Sequence, residues 1–231
     1  MLGFRGCRLG ILHPEITRMQ VGAVMDAALA VARSHPGAPP PRPHIMVPLV
    51  AWAAELEAVA ATVRDAAEEA LEAAGPGAPK IAYSIGTMIE LPRAALGAAE
   101  LAAAGGCAFF SIGSNDLTQC ALGLSRDDAA ARFLPAYLKA GLLASDPFQT
   151  LEEGVGELVR LAVDRGRAAR PGLEVGVCGE HGGDPASIAF FAGAGVDYVS
   201  CSPLRVPVAR LAAAQAAVKA KQADQLAHCQ D

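Results

Sequence analysis

Short apolar runs alternate along this chain with longer stretches of helical periodicity. The first helical stretch spans residues 15–33, where Ile16, Met19, Ala23, Ala27 and Val31 recur at three- and four-residue spacing. Pro14 precedes it, as suits a first helical turn. Residues 34–43 read SHPGAPPPRP, a proline-rich connector that a helix cannot cross. The run Ile-Met-Val-Pro-Leu-Val over 45–50 has no polar alternation, which predicts a strand buried on both faces. An alanine- and glutamate-rich helix over 53–74 follows and stops at Gly75-Pro76-Gly77-Ala78-Pro79.

The unit then repeats. A strand over 81–90 ends on Glu90 and precedes a helix over 92–104. A strand over 107–113 runs into Ser114-Asn115-Asp116-Leu117-Thr118-Gln119, and residues 125–150 make a polar-to-apolar excursion before a helix over 150–167. A strand over 173–178 ends on Cys178 and precedes a helix over 185–192; a fifth, over 197–203, precedes a last helix over 207–219. This alternation with mostly short connections predicts a parallel sheet covered by helices. Polar residues gather at the C-terminal ends of successive strands, where open α/β sheets and (β/α)8 barrels build their sites.

Length and charge narrow the picture. The 231 residues suffice for one α/β barrel or two small domains. Only 5% of residues are aromatic, and the abundant alanine, glycine and valine suit close helix-on-sheet packing. A net charge of −5 offers no basic footprint for nucleic acid. No apolar run approaches the roughly 18 residues of a membrane span, and residues 1–8 lack the apolar core of a signal peptide. The six cysteines form no CxxC pair, as expected of reduced thiols in the cytoplasm, and the five histidines have no zinc spacing with them. His35 and His44, on either side of the proline-rich connector, read as loop residues.

The stretch Cys178-Gly179-Glu180-His181-Gly182-Gly183-Asp184 brings a thiol out of a strand into a glycine-rich turn. That presents one reactive atom or buries an inert one; a thiol's reactivity depends on its surroundings. Glu90 and Asp116 close consecutive strands, and no lysine lies beside them in sequence. Two such carboxylates fit Mg²⁺, which takes one or two of them and leaves positions for water and substrate. The simpler alternative is a helix cap for Asp116 and a surface ion pair for Glu90. Gly113, Ser114 and Asn115 offer backbone N–H and small polar groups to a carboxylate or phosphate, with positive charge from Arg5 and Arg126. Arg5 lies among glycines that leave room for an anion, although from this segment alone a plain surface arginine is the favoured reading. Together these groups would stabilise an enolate oxygen on the metal while Cys178 passes a proton to carbon. A soft thiol is a poor Mg²⁺ ligand, so Cys178 is not read as one. His181 is read as a hydrogen-bonding partner of the turn in preference to a group that orients the thiol.

Five segments together resemble a known family: Met1–Leu9, Gly86–Arg93, Ser111–Gln119, Val177–Asp184 and Asp197–Pro203. They are similar, in order, to the C-terminal phosphoenolpyruvate (PEP)-binding barrel of pyruvate, phosphate dikinase, a barrel shared with PEP synthase and with enzyme I of the sugar phosphotransferase system. The resemblance implies a (β/α)8 TIM-barrel type, here incomplete and holding about the last five βα units. It implies a PEP-binding domain over 1–216 followed by a tail over 217–231. By it, Arg5 would bind the phosphoryl group and Glu90 and Asp116 would hold Mg²⁺. Gly113, Ser114 and Asn115 would help bind substrate, with Arg126 as a further substrate arginine, and Cys178 would protonate enolpyruvate at its methylene carbon. Ser114 stands where the family usually has threonine.

The implied activity is a dikinase-type phosphotransferase half-reaction between a phosphohistidine and pyruvate. The phosphohistidine and ATP-grasp domains are expected to lie outside this sequence, so the chain is read as a fragment unable to run the full reaction alone. The expected partners are PEP or pyruvate, those upstream domains and a second copy in a homodimer, with no nucleic acid and no membrane. The expected compartment is the cytoplasm, with a plastid only for a longer precursor. Two other readings stay open: a stand-alone Mg²⁺-dependent lyase of the PEP/pyruvate barrel superfamily, and a non-catalytic dimerisation or binding module.

Overall fold

The computed structural model describes residues 2–228 of the chain. Its strands β1 (His44–Val47), β2 (Ser84–Ile89), β3 (Phe109–Gly113), β4 (Glu174–Cys178) and β5 (Tyr198–Val199) form one sheet in sequence order. All four pairings are parallel. Each strand is followed by helix and lies beside its predecessor, the progression of a (β/α)8-type barrel, and five strands are present among the described residues.

The central strand shows why the sheet forms. All five residues of β3 are buried, so Phe-Phe-Ser-Ile-Gly reads as a nearly continuous apolar run between two partners. The first strand corrects an expectation. Predicted to be buried on both faces, β1 is half exposed, with Met46 at 37%. Only β2 pairs with it, and Pro48, which has no N–H to give a ladder, follows its last residue. His44, read as a loop residue, opens β1 and packs its ring 5.2 Å from that of Phe109.

The helices α1 (Cys7–Leu12), α2 (Pro14–Ser34) and α3 (Ala53–Ala73) pack together beside β1, burying Met25, Leu56 and Val63. The first of these was not foreseen. The helix expected over 92–104 is broken at Gly97 into α4 (Pro92–Leu96) and α5 (Ala98–Ala103). The excursion after β3 starts as α6 (Ser114–Leu122), whose cap Gly123 has φ 65°, a left-handed turn that favours glycine. It continues as α7 (Arg126–Arg132) and α8 (Leu134–Lys139) around a small separate core of Ala129, Leu134 and Phe148.

α9 (Glu153–Ala169) covers the sheet against α5, and α10 (Pro185–Gly193) is capped by Asp184, whose Oδ2 accepts from the Ser187 N–H at 2.8 Å. β5 is shorter than the expected 197–203. The Asp197 carboxylate itself takes the Val175 N–H at 2.7 Å, and a 3₁₀ turn begins at Pro203. The last helix, α11 (Val206–His228), runs through the expected boundary at 216 and along most of the expected tail. Cys229 lies outside the described residues. No helix among the described residues is long and apolar enough to cross a membrane.

Candidate active site

The ends of β2, β3 and β4 deliver three polar groups to one place. Glu90 follows β2 directly and is 4% exposed. Its Oε1 accepts the Leu49 N–H at 2.6 Å. Leu49 has φ 57°, the single left-handed non-glycine backbone among the described residues, and that turn is what aims its N–H at the carboxylate. Burial pushes the Glu90 carboxyl up to about 7, the Asp116 charge pushes it the same way, and the Leu49 N–H and Arg5 pull against both. Gly113 is the floor of this arrangement: a Cβ there would sit 2.8 Å from Glu90 Oε2.

Asp116 lies inside the first turn of α6, whose N-cap is Gly113, so it is not a cap residue. Its Oδ2 accepts from Arg5 Nη1 at 3.1 Å and its Oδ1 from Gln119 Nε2 at 3.1 Å. Arg5 arrives from the other end of the sequence because residues 6–7 are clipped to the end of β1. Cys7 N–H donates to Pro48 O at 3.0 Å and Cys7 Sγ to Leu49 O at 3.1 Å, while Gly6 (φ 60°) fits against Leu49. Arg5, Asp116, Gln119, Cys120 and Leu124 line an open cleft of about 810 Å³.

Register explains how the thiol is reached. Gly113 lies opposite Cys178 and Ser111 opposite Gly176. The two glycines leave the diagonal free, and the Ser111 hydroxyl donates to Cys178 Sγ at 3.4 Å. Gly176 also lies opposite Tyr198 and makes room for its ring, which a Cβ would strike. Burial raises the Cys178 thiol above its ordinary value; Ser111 opposes that, and the Glu90 and Asp116 charges add to it. The group is therefore a protonated thiol near two carboxylates, suited to giving a proton and poor as a resting nucleophile.

Beneath it, Ser114 and His181 are fully buried. His181 Nε2 lies 2.9 Å from the Pro147 carbonyl and Nδ1 lies 2.8 Å from Ser114 Oγ. A carbonyl only accepts, so Nε2 carries the proton, and in the neutral ring Nδ1 accepts from the Ser114 hydroxyl. Protonation would make Nδ1 a donor and release that hydroxyl to the Cys178 carbonyl, 3.0 Å away. Burial, helped by Arg126, holds His181 below its ordinary 6.5 against the pull of the Pro147 carbonyl, Asp184 and Asp146. An unfolded chain thus binds more protons here, so stability is complete above 6.5 and falls as pH drops through it toward the lower folded value. His181→Gln should cost about 1–3 kcal/mol at neutral pH and flatten the decline on the acid side, as read from urea midpoints across that range.

The structure thus brings Arg5, Glu90, Gly113, Asp116 and Cys178 together. The Ser114 hydroxyl turns inward to His181, and Asn115 Oδ1 accepts the Glu180 N–H at 3.1 Å. Arg126 stands apart: its guanidinium lies 3.8 Å from Glu180 and lines a separate cavity of about 130 Å³ with Phe148, Asp184 and Arg205. Sequence reasoning missed Leu49, Ser111, Gln119 and Tyr198.

A divalent cation fits Glu90 and Asp116. Glu90, pushed up to about 7 in part by the Asp116 charge, neighbours that carboxylate, which pairs with Arg5, and a cation would relieve the repulsion between the two. Among the described residues no group of three or more His, Cys, Asp or Glu is arranged to hold a metal ion, so Glu90 and Asp116 would be the two side-chain donors to such a cation.

Residues 1–218 match the family described as PEP-utilising enzyme, PEP-binding domain. A chloroplastic pyruvate, phosphate dikinase of Mesembryanthemum crystallinum is 56% identical over 216 residues, covering 93% of this chain and 22% of the relative. A pyruvate, phosphate dikinase of Rhizobium meliloti (strain 1021) is 54% identical over 223 residues, covering 96% and 24%. The chain thus spans less than a quarter of the length of these relatives. A solved citrate lyase from Burkholderia xenovorans LB400 is 17% identical with a TM-score of 0.51 over 85% of this chain and 53% of that one, a likeness of fold. With the match reaching from the Arg5 segment through β5 into α11, the chain belongs to the PEP-binding domain family of PEP-utilising enzymes.

Proposed function

We propose that this chain is the PEP/pyruvate half-site of a pyruvate, phosphate dikinase. The observation that carries the reading is the convergence of Glu90, Asp116 and Arg5 beside a protonated Cys178. Mg²⁺ held by Glu90 and Asp116 would supply Lewis-acid stabilisation of negative charge on the substrate oxygens. Arg5 would bind the phosphoryl group, turning part of its charge from Asp116 to the incoming anion. The backbone N–H groups at the start of α6, from Ser114 and Asn115, would face the substrate carboxylate.

When PEP gives up its phosphoryl group, the P–O bond breaks, the enol oxygen becomes a carbonyl oxygen and the methylene carbon needs a proton. Cys178 supplies that proton from Sγ and is left as a thiolate, which Ser111 stabilises by its hydrogen bond and solvent reprotonates. The acceptor is a phosphohistidine-forming imidazole from a part of the longer relatives that this chain does not cover, as are the groups that handle ATP and phosphate. His181 is unsuited to that duty, being fully buried with both ring nitrogens engaged.

The test is calorimetric titration with oxalate, a planar dianion that mimics enolpyruvate, with and without Mg²⁺. Saturable binding that requires Mg²⁺ is expected. Absence of Mg²⁺-dependent binding would overturn the half-site reading, and turnover of PEP by the chain alone would favour a stand-alone lyase instead.

A further inference from the structure

Asp116 and the wall of the cleft are joined by one amide. Gln119 lies three residues beyond Asp116 on the same face of α6, and its Nε2 donates to Asp116 Oδ1 at 3.1 Å. Its Oε1 accepts the Arg126 N–H at 2.9 Å. Arg126 is the first residue of α7, and the N-cap Ser125 makes no side-chain cap, so the donor that a helix start leaves without a partner is satisfied from another helix. A carboxylate only accepts and an N–H only donates, so the amide has a single workable orientation and cannot flip without losing both bonds.

The wall it reaches is built from the excursion after β3. Residues 124–150 have their own small core, separate from the main one. Leu124, Ser125 and Asp127 line the cleft with Arg5 and Asp116. Further ties run from Arg126 to Glu180 at 3.8 Å and from the Pro147 carbonyl to His181. Of these contacts, the Gln119 amide alone touches both the carboxylate and the wall.

We infer that Gln119 is a positioning residue that couples the orientation of Asp116 to the seating of α7. It holds Asp116 Oδ1 toward itself, so the carboxylate keeps a fixed face to Glu90, and whatever fixes Asp116 from the cleft side also fixes the start of α7. This rests on the half-site reading for its ligand, though not for the coupling itself.

Hydrogen exchange over residues 124–132 tests it, alongside oxalate affinity in Mg²⁺. In the parent chain, Mg²⁺ with oxalate should slow exchange in this segment several-fold. Gln119→Ala should weaken oxalate binding by about tenfold and erase the exchange response. Gln119→Glu separates the two arms. Its carboxylate still accepts the Arg126 N–H, so ligand-free exchange stays near the parent's, whereas its charge repels Asp116 and binding weakens. Parent-like affinity in both variants, or an unchanged exchange response in Gln119→Ala, would overturn the proposal. If the parent binds no oxalate, the half-site reading fails, and ligand-free exchange then decides the coupling. Faster exchange over 126–130 in Gln119→Ala supports it and an unchanged rate overturns it.

Discussion

Replacing Glu90 by glutamine is expected to weaken Mg²⁺-dependent oxalate binding by about a hundredfold, on the order of 3 kcal/mol, while the fold stays intact. The neutral amide keeps an oxygen for the Leu49 N–H, so the turn at the end of β1 retains its bond. What it loses is an anionic donor for a hard cation. It also removes a buried charge that burial and Asp116 both disfavour, so thermal stability should hold or rise. Calorimetry and a melting curve on the same sample check the two halves. A variant that loses stability with binding would show that Glu90 serves the fold. Asp116→Asn should act in the same direction, with the added loss of the pairing to Arg5.

Gly113→Ala is expected to damage the fold and the site together. The added Cβ would meet Glu90 Cβ at 2.6 Å and the Met88 sulfur at 2.7 Å, at the end of a strand buried throughout. Overpacking of this kind costs about 1–3 kcal/mol, and the backbone or Glu90 must shift to admit it. Oxalate binding should therefore fall together with the urea midpoint. Gly22→Ala provides the contrast, since nothing lies within 4 Å of a Cβ there and the residue is inside α2. It should be neutral or stabilising by about 0.5–1 kcal/mol. Equal behaviour of the two variants would remove the steric account of Gly113.

The parts legible in the sequence were those whose signal is local. The alternation of apolar runs and helical periodicity located all five strands and the long helices, because each element must bury a face whatever lies beyond it. Glu90 and Cys178 stood out because each closes such a run, and Asp116 because it follows one. Residues whose meaning depends on register were hidden. Ser111 sits inside β3 and reads as filler until Gly113 is placed opposite Cys178 and Gly176 opposite Ser111. Tyr198 acquires a role only through its own pairing with Gly176. Leu49 is an ordinary apolar residue in sequence, and its left-handed backbone comes from the corner it turns toward Glu90. The misjudged burial of β1 has a similar origin. Apolar composition reports a preference for the interior, not how many neighbouring strands supply it. Arg126 was read as a further positive charge for the substrate, and its place 3.8 Å from Glu180 depends on the fold of the excursion, which the sequence does not display.

The clip that brings Arg5 to the site also makes the site depend on contacts between distant parts of the chain. Arg5 and Asp116 are 111 residues apart, and Cys7 reaches across about 40 residues to the end of β1. Contacts over such separations form against a large loss of chain entropy, whereas helices such as α3 close on near neighbours. The site also requires the β2–β3 and β3–β4 pairings, which fix the positions of Glu90 and Cys178. On refolding, recovery of ligand binding is therefore expected to lag recovery of helical signal, because binding requires Arg5 and Cys7 to reach the sheet.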